Sequence, residues 1–376
     1  MHKKNRILVI AKHPTGGIAT YLRFKMSRKE FKKFHFTFLT PSIHFEKEII
    51  DSFEHKNLDF LPIPKSSLEF LRAIRNELNS NGKYCLVHSH GFSAGALTQV
   101  MSYSCARTKH LMTAHDVFTQ NQFVGLSGKI KKSIISFLFK RIKYIHTVTK
   151  EAEDNLISYF PAIPNKNIHL IIHGVNTQYF STGKMRNLRT EIGINNDTLL
   201  IGFFGRFMAQ KGFRTLVNAV ELIDQSTHTK NIKVCTFGWG GFIREDYEYI
   251  EKKGLSEYFH QFEHTNDMPS AIKGMDLVAM PSRWEACGLL AMEVMAAGVP
   301  LIATHCVGLR EVINETPVDS FDPDNANQLA AKIIYAINNI AVIRKDFELF
   351  QVKAIERFDI QKPAEKLSKL FKDIIE

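Results

Sequence analysis

The chain has 376 residues, 44% of them hydrophobic and 23% charged, which suits two ordinary globular domains and excludes a disordered protein. Neither a disulfide framework nor a zinc site is indicated by the five cysteines, which form no CxxC pair: Cys85, Cys105, Cys235, Cys287 and Cys306. Residues 1–180 carry a charge balance of +14 and residues 181–376 one of −3, so the first half is expected to face an anionic surface.

The start of the chain indicates no targeting segment. MHKKNRILVIAKH has an apolar run of about five residues before charge returns, which is too short for a signal peptide. No window approaches the ~18 uninterrupted apolar residues that a membrane-spanning helix needs. We therefore expect a cytoplasmic protein.

Short β-branched runs alternate with segments of helical period along the whole chain. In the first half, strands are predicted over residues 6–11, 35–39, 85–89, 109–114, 144–148 and 168–172. In the second half, they are predicted over residues 199–205, 232–238, 276–280 and 299–304. Helices such as SLEFLRAIRNELNS and FRTLVNAVELIDQ lie between them. This alternation with apolar strands is typical of parallel sheets that helices cover on both faces.

The alternation occurs twice, on either side of the polar stretch NTQYFSTGKMRNLRTEIGINNDT. The sequence therefore predicts an α/β protein of two doubly wound, Rossmann-like domains that face each other across a cleft. The first domain is expected over residues 1–178, with a helix at 360–376 packing back on it. The second is expected over residues 179–359.

The loops that follow strands carry the candidate residues, because ligands of open α/β sheets bind at the carboxyl ends of strands. Gly16 and Gly17, directly before a helix, let backbone amides approach a phosphate, although such a pair is as often a tight turn. His115 can donate to a substrate hydroxyl, but the residues alone favour a capping role in its loop. In HSHG, the alternation predicts His88 in the core and His90 in a loop.

Two cations follow the first strand of the second half. Arg206 and Lys211 lie in the loop RFMAQKG, between Gly205 and Gly212 and before a helix. The fork of an arginine and the point charge of a lysine suit a diphosphate. A surface salt-bridge pair is the alternative, but such a pair needs no flanking glycines.

Two glutamates, Glu285 and Glu293, stand in the otherwise apolar stretch PSRWEACGLLAMEVMAAGVPLIA, where a buried carboxylate needs a partner. A helix that begins near Cys287 leaves its first amides unpaired, and these form an anion site with the helix dipole. Glu293 lies on the order of 8 Å further along and leans back toward that site, while Glu285 lies in the loop beside it. This layout fits a nucleotide sugar; carboxylates in buried salt bridges are the alternative.

These pieces resemble the retaining glycosyltransferases of family 4, which have the GT-B fold. The resemblance rests on GGIATYL, TAHD, HGVNTQYF, GRFMAQKG and above all the E-x7-E spacing of PSRWEACGLLAMEVMAAGVPLIAT. It runs from the first strand to the C-terminus. It implies transfer of a sugar from a nucleotide diphosphate sugar, UDP-linked, with no cofactor.

The resemblance also implies a role for each residue. Arg206 and Lys211 would bind the donor diphosphate, and Glu293 the ribose. Glu285 would act on the sugar, and His115 would contact it near its C6 hydroxyl. Catalytic roles thus fall to His115 and Glu285, and substrate contacts to Gly16, Gly17, Arg206, Lys211, Cys287, Gly288, Leu289 and Glu293.

Two segments depart from the family pattern. His173 and Asn176 stand where the family commonly has Asn and Asp, and Leu309 stands where a second glycine is frequent. The first change touches the interdomain wall and the second a loop near the donor sugar. The identity of the donor sugar therefore does not follow from the resemblance.

The chemistry needs stabilisation of a leaving nucleoside diphosphate, which Arg206, Lys211 and the helix amides can supply without a metal. The run DPD at 322–324 is interpreted as a turn that caps a helix, so no metal site is expected. No side chain is an obvious nucleophile. We therefore expect front-face transfer in which the leaving phosphate accepts the proton of the acceptor, as this family is thought to do.

Two basic segments indicate a membrane partner. Residues 23–34 and 129–143 each hold six cations interleaved with apolar residues, a pattern that suits anionic membrane surfaces. Many surface helices look similar, which is the alternative. A peripheral position on the inner face of the membrane favours a lipid-linked glycan as acceptor, in the synthesis of a bacterial surface polysaccharide.

Two other functions stay open at this point. One is a sugar-nucleotide epimerase, or an inert binding subunit, of the same fold. The other is a nucleic-acid-binding protein, which the basic first half suggests. The basic segments lack an RRM, KH or zinc pattern, and that function leaves Glu285 and Glu293 unexplained, so no nucleic-acid partner is expected.

Overall fold

The computed structural model describes residues 5–41, 49–53, 57–62, 64, 66–80, 82–102, 108–227, 231–263 and 265–376, so that Cys105 lies outside the described residues. It divides the chain into two compact units. Residues up to 173 and residues 360–376 form the first, and residues 174–359 form the second. The division precedes the predicted boundary at 178 because the Val175 N–H donates to the Phe358 carbonyl of the second unit (2.9 Å).

The first unit is built on a seven-stranded parallel sheet in the order β3-β2-β1-β4-β5-β6-β7. Its strands are β1 (Arg6–Ala11), β2 (His35–Leu39), β3 (Leu58–Phe60), β4 (Leu86–His90), β5 (Lys109–Ala114), β6 (Tyr144–Thr147) and β7 (Ile168–Leu170). Its helices of more than one turn are Gly17–Phe24, Ser67–Asn79, Phe92–Met101, Gly125–Phe139, Lys150–Tyr159 and Gln361–Ile375.

Local sequence explains where these elements begin. β1 is apolar throughout, and all its residues after Arg6 are buried, as expected for a central parallel strand covered on both faces. The helix Ser67–Asn79 starts at Ser66, whose hydroxyl accepts from the Glu69 N–H while the Glu69 carboxylate accepts from the Ser66 N–H. This capping box pairs two amides that the first turn leaves open.

The helix Gln361–Ile375 completes the core of the first unit. Leu367 and Phe371 are fully buried, and the Phe371 ring lies 5.6 Å from both the Phe31 and the Phe34 rings. The expectation that the apolar side chains of residues 23–34 face a membrane is therefore wrong for Phe31 and Phe34, and the segment does not form one helix. The aromatic side chains at 31 and 34 fill the core, because the chain turns after the helix Gly17–Phe24 instead of continuing it.

The second unit is built on a six-stranded parallel sheet in the order β10-β9-β8-β11-β12-β13. Its strands are β8 (Leu199–Phe204), β9 (Ile232–Phe237), β10 (Phe259–Phe262), β11 (Leu277–Met280), β12 (Leu301–Thr304) and β13 (Asp319–Phe321). Its helices are Thr177–Thr182, Leu188–Ile192, Phe213–Thr227, Ile243–Lys252, Met268–Lys273, Leu289–Ala297, Arg310–Ile313 and Ala326–Phe358. Within the described ranges, no helix combines the length and the apolar content needed to span a membrane.

Both sheets confirm the predicted doubly wound α/β class. In each, the direction in which strands are added reverses once, between β1 and β4 in the first unit and between β8 and β11 in the second. Loops at the carboxyl ends of the strands diverge at such a reversal and leave a crevice for ligands. The loops after β1, β4, β8 and β11 are therefore where a ligand is expected.

Candidate active site

An ion pair joins the loops after β8 and β11 of the second unit. The Lys211 Nζ lies 2.6 Å from the Glu285 Oε1, and the Ser282 hydroxyl donates to the same oxygen at 2.7 Å. Glu285 is 7% exposed, so its charge needs these partners. The topology brings together a cation and a carboxylate that lie 74 residues apart in sequence.

Two glycines allow the loops to approach this closely. A Cβ on Gly212 would lie 1.9 Å from the Pro281 carbonyl oxygen, and a Cβ on Gly308 would lie 2.1 Å from the Glu285 carbonyl oxygen. Both have a positive φ, of 63° and 75°. In addition, the Glu285 N–H donates to the Val307 carbonyl at 3.0 Å. The loop after β12 thus fixes the backbone that carries Glu285.

The helix Leu289–Ala297 begins beside Glu285 with its amino end free of capping side chains. Gly288 is its N-cap residue, no side chain in the described part of the chain caps it, and its first turn holds no acidic residue. The helix dipole and the terminal amides therefore favour an anion at this end. Leu309, which departs from the family pattern, is fully buried and would meet a Cβ on Gly288 at 2.4 Å. The Leu309 side chain therefore packs against Gly288, the N-cap residue of the helix.

Glu293 is the fifth residue of this helix and is partly exposed. Burial raises the pKa of its carboxyl to about 7, and the nearby Lys211 ammonium opposes that rise. Within the described residues, no hydrogen bond to Glu293 is formed. A carboxyl that titrates near neutrality and has no protein partner can accept a hydrogen bond from a ligand hydroxyl.

The loop after β9 also reaches the site, which the sequence interpretation missed. The Phe207 N–H, next to Arg206, donates to the Trp239 carbonyl at 2.9 Å. Trp239 and Phe242 are 51% and 53% exposed. The available signal was the glycine-rich run WGGF at 239–242, which follows the predicted strand 232–238 as the loop of Arg206 and Lys211 follows its own strand.

The DPD run forms a turn before the helix Ala326–Phe358, as predicted, but Asn325 is the residue that caps it. The Asp324 carboxylate accepts from Arg283 at 2.6 Å, and that of Asp322 accepts from Gln328 at 2.9 Å. Among the residues that the structure describes, no three His, Cys, Asp and Glu side chains are grouped so that they could hold a metal ion.

In the first unit, the loop after β1 meets the loop after β5 through Tyr21. Gly16, with φ 57°, is the N-cap of the helix Gly17–Phe24, whose first turn holds no acidic residue. Tyr21 projects from this helix, and its ring meets the His115 ring edge-on with centroids 4.9 Å apart. Gly16, Gly17 and His115 therefore border one region of the first unit.

His115 belongs to a cluster of buried histidines. Its Nε2 lies 2.9 Å from the His90 Nδ1, and its ring stacks on the His173 ring with centroids 5.7 Å apart. The Lys25 ammonium, which is fully buried, lies 3.3 Å from the His173 Nδ1. His88 is in the core as predicted. The prediction of His90 in a loop is wrong, because His90 is the last residue of β4 and is 2% exposed.

The cluster is neutral near pH 7. Burial lowers the pKa of His115, His90 and His173 well below the ordinary histidine range, and neighbouring histidines lower each of them further. The Lys25 ammonium adds to this effect at His115 and His173. The His115 imidazole is therefore neutral near pH 7 and is not a cation.

The predicted residues fall into two groups, one in each unit. Gly16, Gly17 and His115 lie in the first unit. The second unit holds the larger group, with both cations, both glutamates and the helix amino end: Arg206, Lys211, Cys287, Gly288, Leu289, Glu285 and Glu293. This second group is suited to a ligand that combines negative charge with hydroxyl groups.

Two family models match the chain. Residues 16–179 match "Glycosyltransferase Family 4", and residues 198–339 match "Glycosyl transferases group 1". The two matches follow each other along the chain and correspond to the first and second units in order.

Individual relatives are distant. An uncharacterized 41.2 kDa protein of the cps region of Klebsiella pneumoniae is 26% identical, over 66% of this chain and 68% of that protein. The O-antigen biosynthesis glycosyltransferase WclY of Escherichia coli is 24% identical, over 78% of this chain and 80% of that protein. With two other curated relatives, the match spans only 57% and 60% of their own length.

Similarity of fold is stronger than similarity of sequence. The crystal structure of Anabaena Alr3699/HepE in complex with UDP-glucose superimposes with a TM-score of 0.82, covering 98% of this chain and 99% of that one. The sequence identity is 17%. This comparison establishes the GT-B fold.

Proposed function

Because this chain belongs to the family 4, group 1 glycosyltransferases, we propose that it transfers a sugar from a nucleotide diphosphate sugar to a glycan. The donor we propose is UDP-linked, as in the HepE complex. The acceptor we propose is a lipid-linked glycan of a bacterial surface polysaccharide. The names of WclY and of the cps-region protein support that setting.

The observation that carries the proposal is the grouping of Lys211, Glu285 and the uncapped helix amino end at the strand-order reversal between β8 and β11. A diphosphate brings the negative charge that a lysine and a helix amino end attract. Lys211 would bridge the Glu285 carboxylate and a phosphate oxygen, with Arg206 as the second cation. Glu293, with its raised pKa, would accept from the ribose hydroxyls.

The reaction we propose retains the configuration of the sugar. The bond between the sugar C1 and the diphosphate oxygen breaks, and a bond between C1 and the acceptor oxygen forms on the same face. The proton of the acceptor hydroxyl moves to the departing phosphate oxygen, so no protein base is required. Lys211, Arg206 and the helix amides stabilise the charge that develops on the diphosphate. Glu285, held by Lys211 and Ser282, orients the sugar hydroxyls.

The roles of the first-unit residues stay predictions. Gly17 would offer its amide to a phosphate, and His115 would bind a sugar hydroxyl as a neutral imidazole, since its pKa is far below 7. An asparagine at 115 keeps a hydrogen-bonding group of similar reach, whereas an alanine does not. We expect His115→Ala to lower kcat by about 10²-fold or more and His115→Asn to retain part of it.

The experiment that tests the function combines donor binding with product analysis. A panel of nucleotide sugars is first screened for thermal stabilisation of the protein, and the best donor is then used in labelled form with extracted glycolipid. Transfer of label to the glycolipid with an α-to-α or β-to-β linkage supports the proposal. Conversion of the donor into its epimer, or stabilisation by no nucleotide sugar, contradicts it.

The matched variants are Lys211→Met and Lys252→Met. Lys252 is an exposed lysine on the helix Ile243–Lys252, away from the loops of the site. We expect Lys211→Met to weaken UDP binding by about 10²-fold, since a charge-assisted contact to phosphate is lost. Lys252→Met should bind UDP as the unchanged protein does. Equal affinity in all three proteins would remove Lys211 from the diphosphate site.

Metal independence is part of the proposal, since two cations and the helix amides are assigned to the leaving group. Transfer should therefore proceed at an unchanged rate after dialysis against EDTA. A rate that falls to background and returns with Mn²⁺ would show that a divalent cation carries part of that charge.

A further inference from the structure

The helix Gly125–Phe139 carries apolar side chains on two opposite faces. Its inner face, with Leu138 and Phe139, packs in the core of the first unit. On the outer face, Leu126, Ile130, Ile134 and Phe137 are exposed to solvent by 77%, 54%, 56% and 52%. Their spacing of four, four and three residues aligns them in one stripe along the helix. Folding of the first unit explains only the inner face.

Cations border the outer stripe. Lys129 and Lys140 lie on one side of it and Lys131 on the other, at about 100° per residue around the helix. The Arg141 guanidinium lies over the Phe137 ring at 3.5 Å. Residues 117–150 contain seven Lys and Arg but no Asp or Glu. A contiguous apolar stripe with positive edges is thus displayed on a rigid helix.

We propose that this docking face, formed by Leu126, Ile130, Ile134 and Phe137 with the cations beside them, binds the surface of an anionic lipid bilayer. An interfacial helix inserts its apolar stripe about 5–10 Å into the boundary between headgroups and acyl chains. Lysine and arginine at the edges of the stripe then meet the lipid phosphates. The docking face has the apolar stripe for the first contact and flanking cations for the second.

Charge complementarity selects the bilayer over a second copy of this chain. Two docking faces packed against each other would bring the cations beside the stripe, Lys129, Lys131, Lys140 and Arg141, against the same four cations of the second copy, which repels. An anionic bilayer offers the opposite charge and an apolar interior together. The inference does not depend on the proposed transfer reaction, because lipid binding is measured without donor or acceptor.

The first experiment removes the apolar stripe. Ile130 and Ile134 are changed together to serine, and Val342 and Leu349, which are 61% and 70% exposed on a helix of the second unit, are changed to serine as the control. Co-sedimentation uses vesicles of phosphatidylcholine alone or with about one third phosphatidylglycerol. We expect the unchanged protein to prefer the anionic vesicles, Ile130→Ser with Ile134→Ser to bind at least about tenfold more weakly, and the control to bind normally.

The second experiment removes charge. Lys129→Gln with Lys140→Gln is compared with Lys366→Gln with Lys369→Gln, two exposed lysines of the helix Gln361–Ile375 in the same unit. The first pair should lower binding to anionic vesicles about tenfold, and the second pair should not. All the substituted side chains are exposed to solvent, and circular dichroism checks that each variant is folded.

Three results would overturn the inference. One is that the unchanged protein binds anionic vesicles no better than neutral ones. Another is an equal loss in the serine variants of both helices. The third is a homodimer in solution that Ile130→Ser with Ile134→Ser dissociates while vesicle binding stays absent, since that would assign the docking face to a second copy of the chain.

Discussion

At Glu293, the burial that prepares a carboxyl for a ligand also acts against folding. The pKa of an unfolded glutamate is near its ordinary value of 4.5, whereas the folded protein raises it to about 7. Between these values the folded state holds a proton that the unfolded state has released. Stability of the second unit therefore falls as pH rises from 4.5 to 7, and the full penalty of up to about 3 kcal/mol persists above pH 7.

We expect Glu293→Gln to stabilise the second unit by up to about 3 kcal/mol at pH 8 and by about half of that at pH 5.5, because glutamine removes the titrating group. Donor binding should weaken at the same time. Urea unfolding followed by tryptophan fluorescence measures the stability, since Trp239 and Trp284 are the two tryptophans of the chain and both lie in the second unit.

Glu248→Gln is the control for this change. Glu248 is exposed on the helix Ile243–Lys252, so its replacement removes no buried carboxyl and should change the stability by less than about 0.5 kcal/mol. If Glu293→Gln gives the same gain at pH 8 and at pH 5.5, the burial of a titrating carboxyl at 293 is not the cause.

The pair of Lys211 and Glu285 is expected to behave as a unit. Lys211→Met leaves a carboxylate that is 7% exposed without its cation, which should lower the free energy of unfolding by about 3 kcal/mol. Adding Glu285→Gln removes the unpaired charge and should recover most of that loss without recovering UDP binding. A double variant that is as unstable as Lys211→Met would mean that the lysine stem, and not its charge, supports the loop.

At the level of elements, glycine decides how closely the loops of the second unit approach one another. Gly308→Ala places a Cβ 2.1 Å from the Glu285 carbonyl oxygen at a backbone φ of 75°. The loop carrying Glu285 must shift, so we expect a loss of about 2 kcal/mol or more in stability and weaker donor binding. Gly241→Ala, which meets nothing within 4 Å and needs no positive φ, should leave both unchanged.

The strands predicted from sequence correspond to ten observed ones, and the three that were missed share a cause. β3 (LDF), β10 (FHQF) and β13 (DSF) lie at or near the outer side of their sheets, at the ends of the strand orders. An edge strand is open to solvent on one side, so polar residues interrupt its apolar run. An apolar run therefore predicts a central parallel strand, whereas a short edge strand has no such run and is missed.

Part of the candidate site could also be predicted from the sequence. The loops after predicted strands contained Arg206, Lys211 and Glu285, and the helix that follows one of these loops contained Glu293, because strand ends mark ligand sites in this class of sheet. The ion pair between Lys211 and Glu285 could not be predicted, because it depends on which strands are adjacent in the folded sheet. The buried cluster around His115 was also missed, because a histidine has no fixed preference between core and surface.

For the whole molecule, acid is expected to affect the two units in opposite directions. Burial lowers the pKa of seven described histidines of the first unit: to about 3 for His110 and His146, well below the ordinary range for His88, His90, His115 and His173, and below its ordinary value for His169. Below pH 6.5 these histidines bind protons in the unfolded state but stay neutral in the folded state. The free energy of unfolding therefore falls as pH falls. At pH 5.5 a histidine whose folded pKa is about 3, such as His110 or His146, contributes about 1.4 kcal/mol to that loss, and several such groups take away a large part of the stability of a domain.

Hydrogen exchange resolved by peptide tests this expectation. As pH falls from 6.5 to 5.5, the amides of β4 and β5 should lose protection, after correction for the intrinsic pH dependence of exchange. Tryptophan fluorescence, which reports the second unit, should stay constant over this range. Loss of fluorescence before any loss of protection in β4 would contradict the assignment of acid sensitivity to the buried histidines.

The return of residues 360–376 to the first unit also constrains the order in which the protein can be made. A ribosome delivers the sheet of the first unit early, but Leu367, Phe371 and Ile374 of its core emerge only after the whole second unit. Until translation reaches them, Phe31 and Phe34 have no Phe371 to pack against. While the second unit is being synthesised, the apolar face of the first unit that the helix Gln361–Ile375 covers in the folded protein therefore remains uncovered. A chain that stopped at residue 359 would have a complete second unit and an incomplete first one, and its open apolar face would be a target for chaperones and proteases.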